Sequence, residues 1–158
     1  MFSKPFIIIL MVCILLLISC SSSKEEGNQP SVEVTNHSVS CWLNLMPGAK
    51  GKFYVNGSLQ IKNLIDKKLN NIEFKNISVY YSKNRIYSFK PVTGNSAVAD
   101  DLSLNPGEEK EFRFGMDDGL KIDERLMEAD SVNLKIDIDY DDSDYIYEIN
   151  NVNVERAY

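Results

Sequence analysis

From Ser31 onward, apolar residues recur at every second position, the spacing that places them on one face of a β-strand. Val32 and Val34 open the series, and Val39, Cys41, Leu43 and Leu45 share a face until Pro47-Gly48 interrupts it. The clearest stretch is Phe53, Val55, Gly57, Leu59 and Ile61. Ile72 and Phe74 start another. Ile77, Val79 and Tyr81 continue it after a slip of one residue at Lys75-Asn76, which predicts a bulge. Ser82-Lys83-Asn84-Arg85 reads as a hairpin turn into Ile86-Tyr87-Ser88-Phe89. Leu102 and Leu104 lead to Asn105-Pro106-Gly107-Glu108, where Pro presets φ at the second turn position and Gly permits a positive φ at the third. Phe112 and Phe114 follow. Val132, Leu134, Ile136, Ile138 and Tyr140 alternate with Asn133, Lys135, Asp137 and Asp139. Tyr145, Tyr147 and Ile149 return, and Val152 and Val154 close the chain.

This pattern gives about eight strands, with turn signals roughly every 8–15 residues. The best helical window, Ile122 to Ala129, is one or two turns between strands. The chain is therefore expected to be all-β, an immunoglobulin-like antiparallel two-sheet sandwich of about seven to nine strands, with an open barrel as the rival. Four segments carry a family resemblance: Gly57-Ser58-Leu59-Gln60-Ile61-Lys62-Asn63, Leu69-Asn70-Asn71-Ile72, Val79-Tyr80-Tyr81-Ser82-Lys83-Asn84, and Leu104-Asn105-Pro106-Gly107-Glu108 with Phe112. Over Phe53 to Phe114 the chain resembles the FxLYD-type domains, small immunoglobulin-like sandwiches of bacterial exported proteins. The Leu-Tyr-Asp element of that pattern is Tyr80-Tyr81-Ser82 here. The resemblance implies a fold and carries no catalytic residues with it.

The segment ahead of the strands has a different character. Lys4 precedes an apolar run from Phe6 to Ile18, which ends in Leu17-Ile18-Ser19-Cys20. A positive residue, a short apolar core and a small residue before the cysteine make a secretory signal. The alternative, a transmembrane helix, needs roughly 20 apolar residues. The run is shorter than that and ends in Ser19-Cys20-Ser21-Ser22-Ser23 rather than a basic flank. Its last four residues resemble the lipobox of bacterial lipoproteins. That resemblance implies lipid on the Cys20 thiol, cleavage before Cys20 and acylation of the new N-terminus. Residues 1–19 would be the signal peptide, 20–30 the lipidated cysteine and its tether, and 31–158 one sandwich domain. Two or three acyl chains hold a protein durably where one holds it marginally.

Ser21 to Pro30 is small, polar and ends in proline, so it is read as a flexible tether reaching roughly 35 Å at most. Ser21 differs from the aspartate associated with inner-membrane retention in enterobacteria, which favours the outer membrane. Lys24-Glu25-Glu26 resembles the lysine-plus-acids signal that sends Bacteroidota lipoproteins to the cell surface; its plainer reading is a solvated charge cluster.

Charge and cysteine usage narrow the function classes. Removal of residues 1–19, which carry Lys4 and no acid, takes the formal charge from −6 to −7. An acidic surface repels phosphate backbones, so nucleic acid is not an expected partner. Once Cys13 leaves and Cys20 is lipidated, Cys41 is the remaining thiol. It lies on the apolar face of its strand and reads as a buried side chain. A nucleophilic role would need His37, about 13 Å away along an extended strand.

The acids Asp137, Asp139, Asp141, Asp142, Asp144 and Glu148 are the densest constellation. Their oxygens resemble the spacing of an EF-hand calcium loop, but Asp142 stands where the loop needs glycine, and the flanks read as strands. The alternatives are an acidic hairpin that discourages edge pairing and a weak calcium site. Trp42, Tyr80 and Tyr87 fall outside the strongest apolar faces and are candidates for glycan or peptide contacts. The Ser/His/Asp sets, zinc spacings, phosphate loops and cofactor fingerprints of enzymes are not found in the chain. The leading expectation is a non-enzymatic, lipid-anchored envelope module, with no cofactor, that binds or braces another envelope component. A glycan- or calcium-binding module is the alternative, and a small carboxylate-pair hydrolase a third.

Overall fold

The computed structural model describes residues 30–48, 50–93 and 102–158. The signal segment, Cys20 and most of the tether lie outside the described residues. Among the described residues there are nine strands: β1 (Val32–Asn44), β2 (Lys52–Asn63), β3 (Glu73–Tyr81), β4 (Asn84–Phe89), β5 (Val92–Thr93), β6 (Glu109–Gly115), β7 (Leu120–Lys121), β8 (Ser131–Tyr140) and β9 (Ser143–Ala157). One turn of 3₁₀ helix, Glu124–Met127, joins β7 to β8. Their order is β4-β3-β8-β9-β1-β2-β6-β5, with β7 beside β2. Among the described residues no helix is long and apolar enough to cross a membrane.

The molecule is all-β, as the alternation predicts, and its strands form two leaves joined along one side by β9. From Ser143 to Asn153, β9 pairs antiparallel with β8; from Val154 to Ala157 it pairs with β1. The change of leaf occurs next to Asn151, which has φ of +57°, opposite a register shift between Val132 and Leu134. The Asn151 N–H donates to Asn133 Oδ1 at 2.9 Å. The β1–β9 ladder is parallel, so the sheet is mixed where an antiparallel one was expected. Period-two patterning locates strands but does not encode the direction of a neighbour remote in sequence.

The leaves meet face to face. Phe53 of β2 stacks on Tyr87 of β4 with ring centroids 5.3 Å apart, and Phe74 of β3 meets Phe114 of β6 edge-on at 5.4 Å. Val55, Leu59 and Ile61 from one leaf and Ile77, Val79, Leu134 and Ile136 from the other are fully or almost fully buried in the same cluster. The predicted stretches at Val32–Val34 and Val39–Leu45 belong to one thirteen-residue strand. A register shift between Val34 and Asn36 restores the inward face after the parity change. The slip predicted at Lys75-Asn76 appears as a register shift between Phe74 and Asn76.

Asn63 completes one end of the sandwich. It continues the inward parity of β2 and is fully buried. Its Nδ2 lies 2.8, 3.1 and 3.1 Å from the carbonyls of Lys67, Leu104 and Asn105, and its Oδ1 accepts from Ile65 N–H at 3.0 Å. The neighbouring turn forms as the sequence predicts, with Gly107 at φ of +72° and Glu108 N–H donating to Asn105 O at 3.0 Å.

Gly57 is required by a close approach between strands. A Cβ there would lie 2.6 Å from the Ser38 carbonyl oxygen and 2.8 Å from the Phe114 ring. Neither a ladder carbonyl nor a buried aromatic can move aside cheaply. Gly57→Ala is therefore expected to destabilise the fold by about 1–3 kcal/mol, the cost of overpacking a core. Urea unfolding measures this directly, and an unchanged midpoint would contradict it.

Candidate functional site

The acidic residues sit on the β8–β9 hairpin. Its two-residue turn is Asp141-Asp142, with φ of +43° and +63°, flanked by the Tyr140–Ser143 pair. Two positive φ values match the right-handed twist of a hairpin, and aspartate tolerates that region better than most residues. Asp139 and Asp144 face each other across the ladder, and the Lys75 ammonium sits between them at 2.8 and 3.4 Å. Its hydrogen bond holds the Asp139 carboxyl below the usual carboxylate range, while the two carboxylates raise the Lys75 ammonium.

The other acids point elsewhere. Asp141 Oδ1 lies 3.4 Å from Asn70 Nδ2, and Glu148 stands opposite Lys135. Among the described residues no group of three or more acidic, histidine or cysteine side chains converges as a metal site would require. Of the set Asp137, Asp139, Asp141, Asp142, Asp144 and Glu148, Asp139 and Asp144 come together, and Lys75 stands between them.

The three candidate aromatics are held apart. Trp42 stacks on its cross-strand neighbour Tyr54 at 5.1 Å and 12° between ring planes. Both rings are partly exposed, and the backbone at Gly119 lies close over Tyr54, where a Cβ would come within 2.6 Å of the ring. Tyr87 points inward onto Phe53. Its hydroxyl donates to Lys121 O at 2.7 Å and accepts the Asp123 N–H at 2.6 Å, clamping β4 to the end of β7 and the residues after it. Burial pushes its phenol above the ordinary range. Tyr80 is on the outer face of the β4-β3-β8-β9 leaf.

There Tyr80 joins Asp137 and Asp144 of the acid set and several residues that the sequence did not single out, Arg85 and Lys135 among them. A groove of about 530 Å³ runs over β3, β4, β8 and β9, lined by Tyr80 with Lys75, Asn76, Ser78, Arg85, Lys135, Asp137, Asp144 and Ile146. The residues come together through register. Tyr80 pairs with Arg85, Ser78 with Lys135, and Asn76 with Asp137. Outward parity marks Lys135 on β8, whereas Arg85 shares the parity of inward Tyr87 and reaches the outer face only through the register shift between Val79 and Tyr80, so the pairing is what puts both beside Tyr80.

A second concavity, of about 290 Å³, lies where β1 and β9 diverge, lined by His37, Ser40, Asn150, Asn151, Asn153 and Glu155 among others. His37 Nδ1 is 2.9 Å from the Tyr147 hydroxyl. Cys41 is buried, and desolvation pushes its thiol up to about 12, the opposite of an activated nucleophile. No known protein family matches the chain, and no curated protein matches it.

Asp123 caps the 3₁₀ turn by accepting from Arg125 N–H at 3.0 Å, and its carboxylate forks onto the Arg125 guanidinium at 2.8 and 2.6 Å. The guanidinium holds that carboxyl down at about 2. A carboxylate depressed on folding stabilises above its unfolded value of about 3.9 and loses that stabilisation as pH falls through the folded value. Asp123→Ala should cost about 1 kcal/mol at pH 7, with the gap to the parent narrowing between pH 4 and about 2. Thermal melts across that window test the sign, and a gap that widens in acid would refute it.

Proposed function

We propose that the chain is a lipid-anchored, non-catalytic module of the cell envelope that engages another envelope component through open strand edges. The anchor is Cys20, and the outer membrane is its place, with the cell surface as the destination if Lys24-Glu25-Glu26 acts as an address. The non-catalytic reading is supported by the buried, unactivated Cys41 and by Lys75 neutralising the densest pair of acids.

One observation carries the edge reading. β1 has 13 residues and β9 has 15, yet they pair at only four positions, Cys41–Asn44 with Val154–Ala157. Over Val32–Ser40 and Ser143–Asn153 the two strands diverge, and among the described residues neither has a strand on that side. The His37 N–H turns to Asn36 Oδ1 at 2.8 Å instead of to a ladder. Tyrosine side chains bridge the gap, Tyr147 to His37 and Tyr145 to the Val34 backbone. The flanking amides of Asn150, Asn151 and Asn153 offer the groups that an extended peptide needs. Strand addition supplies main-chain hydrogen bonds as its affinity term, and an exposed edge is its usual acceptor.

Two experiments address the two halves. Cells fed labelled palmitate should label the parent protein and not Cys20→Ala; label on the variant, or none on the parent, refutes the anchor. A photoreactive residue at position 38 should capture a discrete envelope protein in cells. His37→Pro removes the N–H bonded to Asn36 Oδ1 and the exposed imidazole contact with Tyr147, so it should lower Tm modestly and leave the protein folded while abolishing capture. Capture that survives in a folded His37→Pro protein, or no adduct from the parent, refutes strand addition.

A further inference from the structure

We propose that the groove on the outer face of the β4-β3-β8-β9 leaf is a separate binding site, for a sugar ring that carries a carboxylate. Its charge contrasts with the rest of the chain. On a protein of formal charge −6, the lining holds Lys75, Arg85 and Lys135 against Asp137 and Asp144. Lys75 is already engaged by Asp139 and Asp144. Among the described residues no carboxylate lies within ion-pair distance of Arg85 or of Lys135, whose cross-strand neighbour is Glu148, so the two present cations beside Tyr80. Arg85 on β4 and Lys135 on β8 flank Tyr80 from either side of β3, and each cation can receive an anionic oxygen.

The other end of the groove asks for a donor. Asp137 Oδ1 is buried with no hydrogen-bond partner, and Oδ2 has only Asn76 Nδ2, at 3.4 Å. A buried carboxylate oxygen without a donor is costly, and a turn of the Asp137 side chain that brings Oδ1 to the groove, where a ligand hydroxyl donates to it, relieves that cost. The ligand therefore carries an anion at one end and hydroxyl donors at the other. Inorganic phosphate offers no C–H face to Tyr80 and is repelled by Asp137. A metal ion is repelled by Arg85 and Lys135. The Tyr80 ring gives the C–H face of a pyranose a flat surface to pack on, and about 530 Å³ accommodates one or two such rings.

The test uses the full lipidated chain in detergent, titrated calorimetrically with oligosaccharides of galacturonate, glucuronate and sialic acid. At least one should bind, and its methyl ester should bind at least about tenfold more weakly because the anion is gone. Arg85→Ala and Lys135→Ala should each weaken binding by a similar factor with Tm unchanged, since Arg85 is exposed and Lys135 half-buried on the outer face. His37→Pro should leave binding intact, which separates this site from the strand-edge reading. The proposal is overturned if none of the three acids binds or an ester binds as well as its acid. It also fails if phosphate or a glutamate-rich peptide competes equally, or if the folded Arg85 and Lys135 variants bind like the parent.

Discussion

The architecture depends on a single strand belonging to two leaves. β9 leaves β8 near Asn151 and joins β1 for its last four residues. A left-handed backbone costs a non-glycine residue on the order of 1 kcal/mol or more, and asparagine tolerates it better than most. Asn133 supports the bend by taking the N–H that the ladder gives up. The bend ties the leaves together along one side and also produces the open edges, because a strand that departs from β8 late meets β1 late. On the opposite side, where among the described residues no strand is shared, the Tyr87 hydroxyl closes the gap between β4 and the end of β7 with the residues after it. One side is joined by backbone and the other by a side chain.

Much of this fold was legible in the alternation. β2 and β8 were readable because each keeps one parity over its whole length and buries that face. β1 and β9 read as pairs of short stretches because a bulge or a bend reverses parity partway along, and continuity across such a break is visible only in the partner's register. The parallel pairing of β1 and β9 joins positions more than a hundred residues apart, a distance at which local pattern carries no information. Asn63 could have been found: it sits at the next inward position after Ile61, where a polar residue must be either an error in the strand or a buried hydrogen-bond hub.

The candidate sites were less legible, for a related reason. The acid spacing was real, but spacing along the chain cannot reveal that Lys75, from a strand adjacent only in space, stands between Asp139 and Asp144. Tyr87 fell off the strongest apolar faces because its hydroxyl has a structural task, so polarity at an inward position reported a clamp and not a binding surface. Tyr80 was visible as an aromatic, whereas its neighbours Arg85 and Lys135 come from β4 and β8 and acquire meaning only through cross-strand register.

The short parallel ladder between the first and last strands has a mechanical meaning. β1 starts at one end of the domain, and β9 finishes at the other, with Ala157 beside Asn44. Tension applied between residue 30 and the C-terminus pulls these two strands in opposite directions along their own axes. The bonds between Cys41–Asn44 and Val154–Ala157 would then be strained together in shear instead of parting one after another like a zipper. A small patch of backbone pairing thus becomes the force-bearing seam of the molecule, and its rupture rate, not the overall folding free energy, sets how long the domain survives under load.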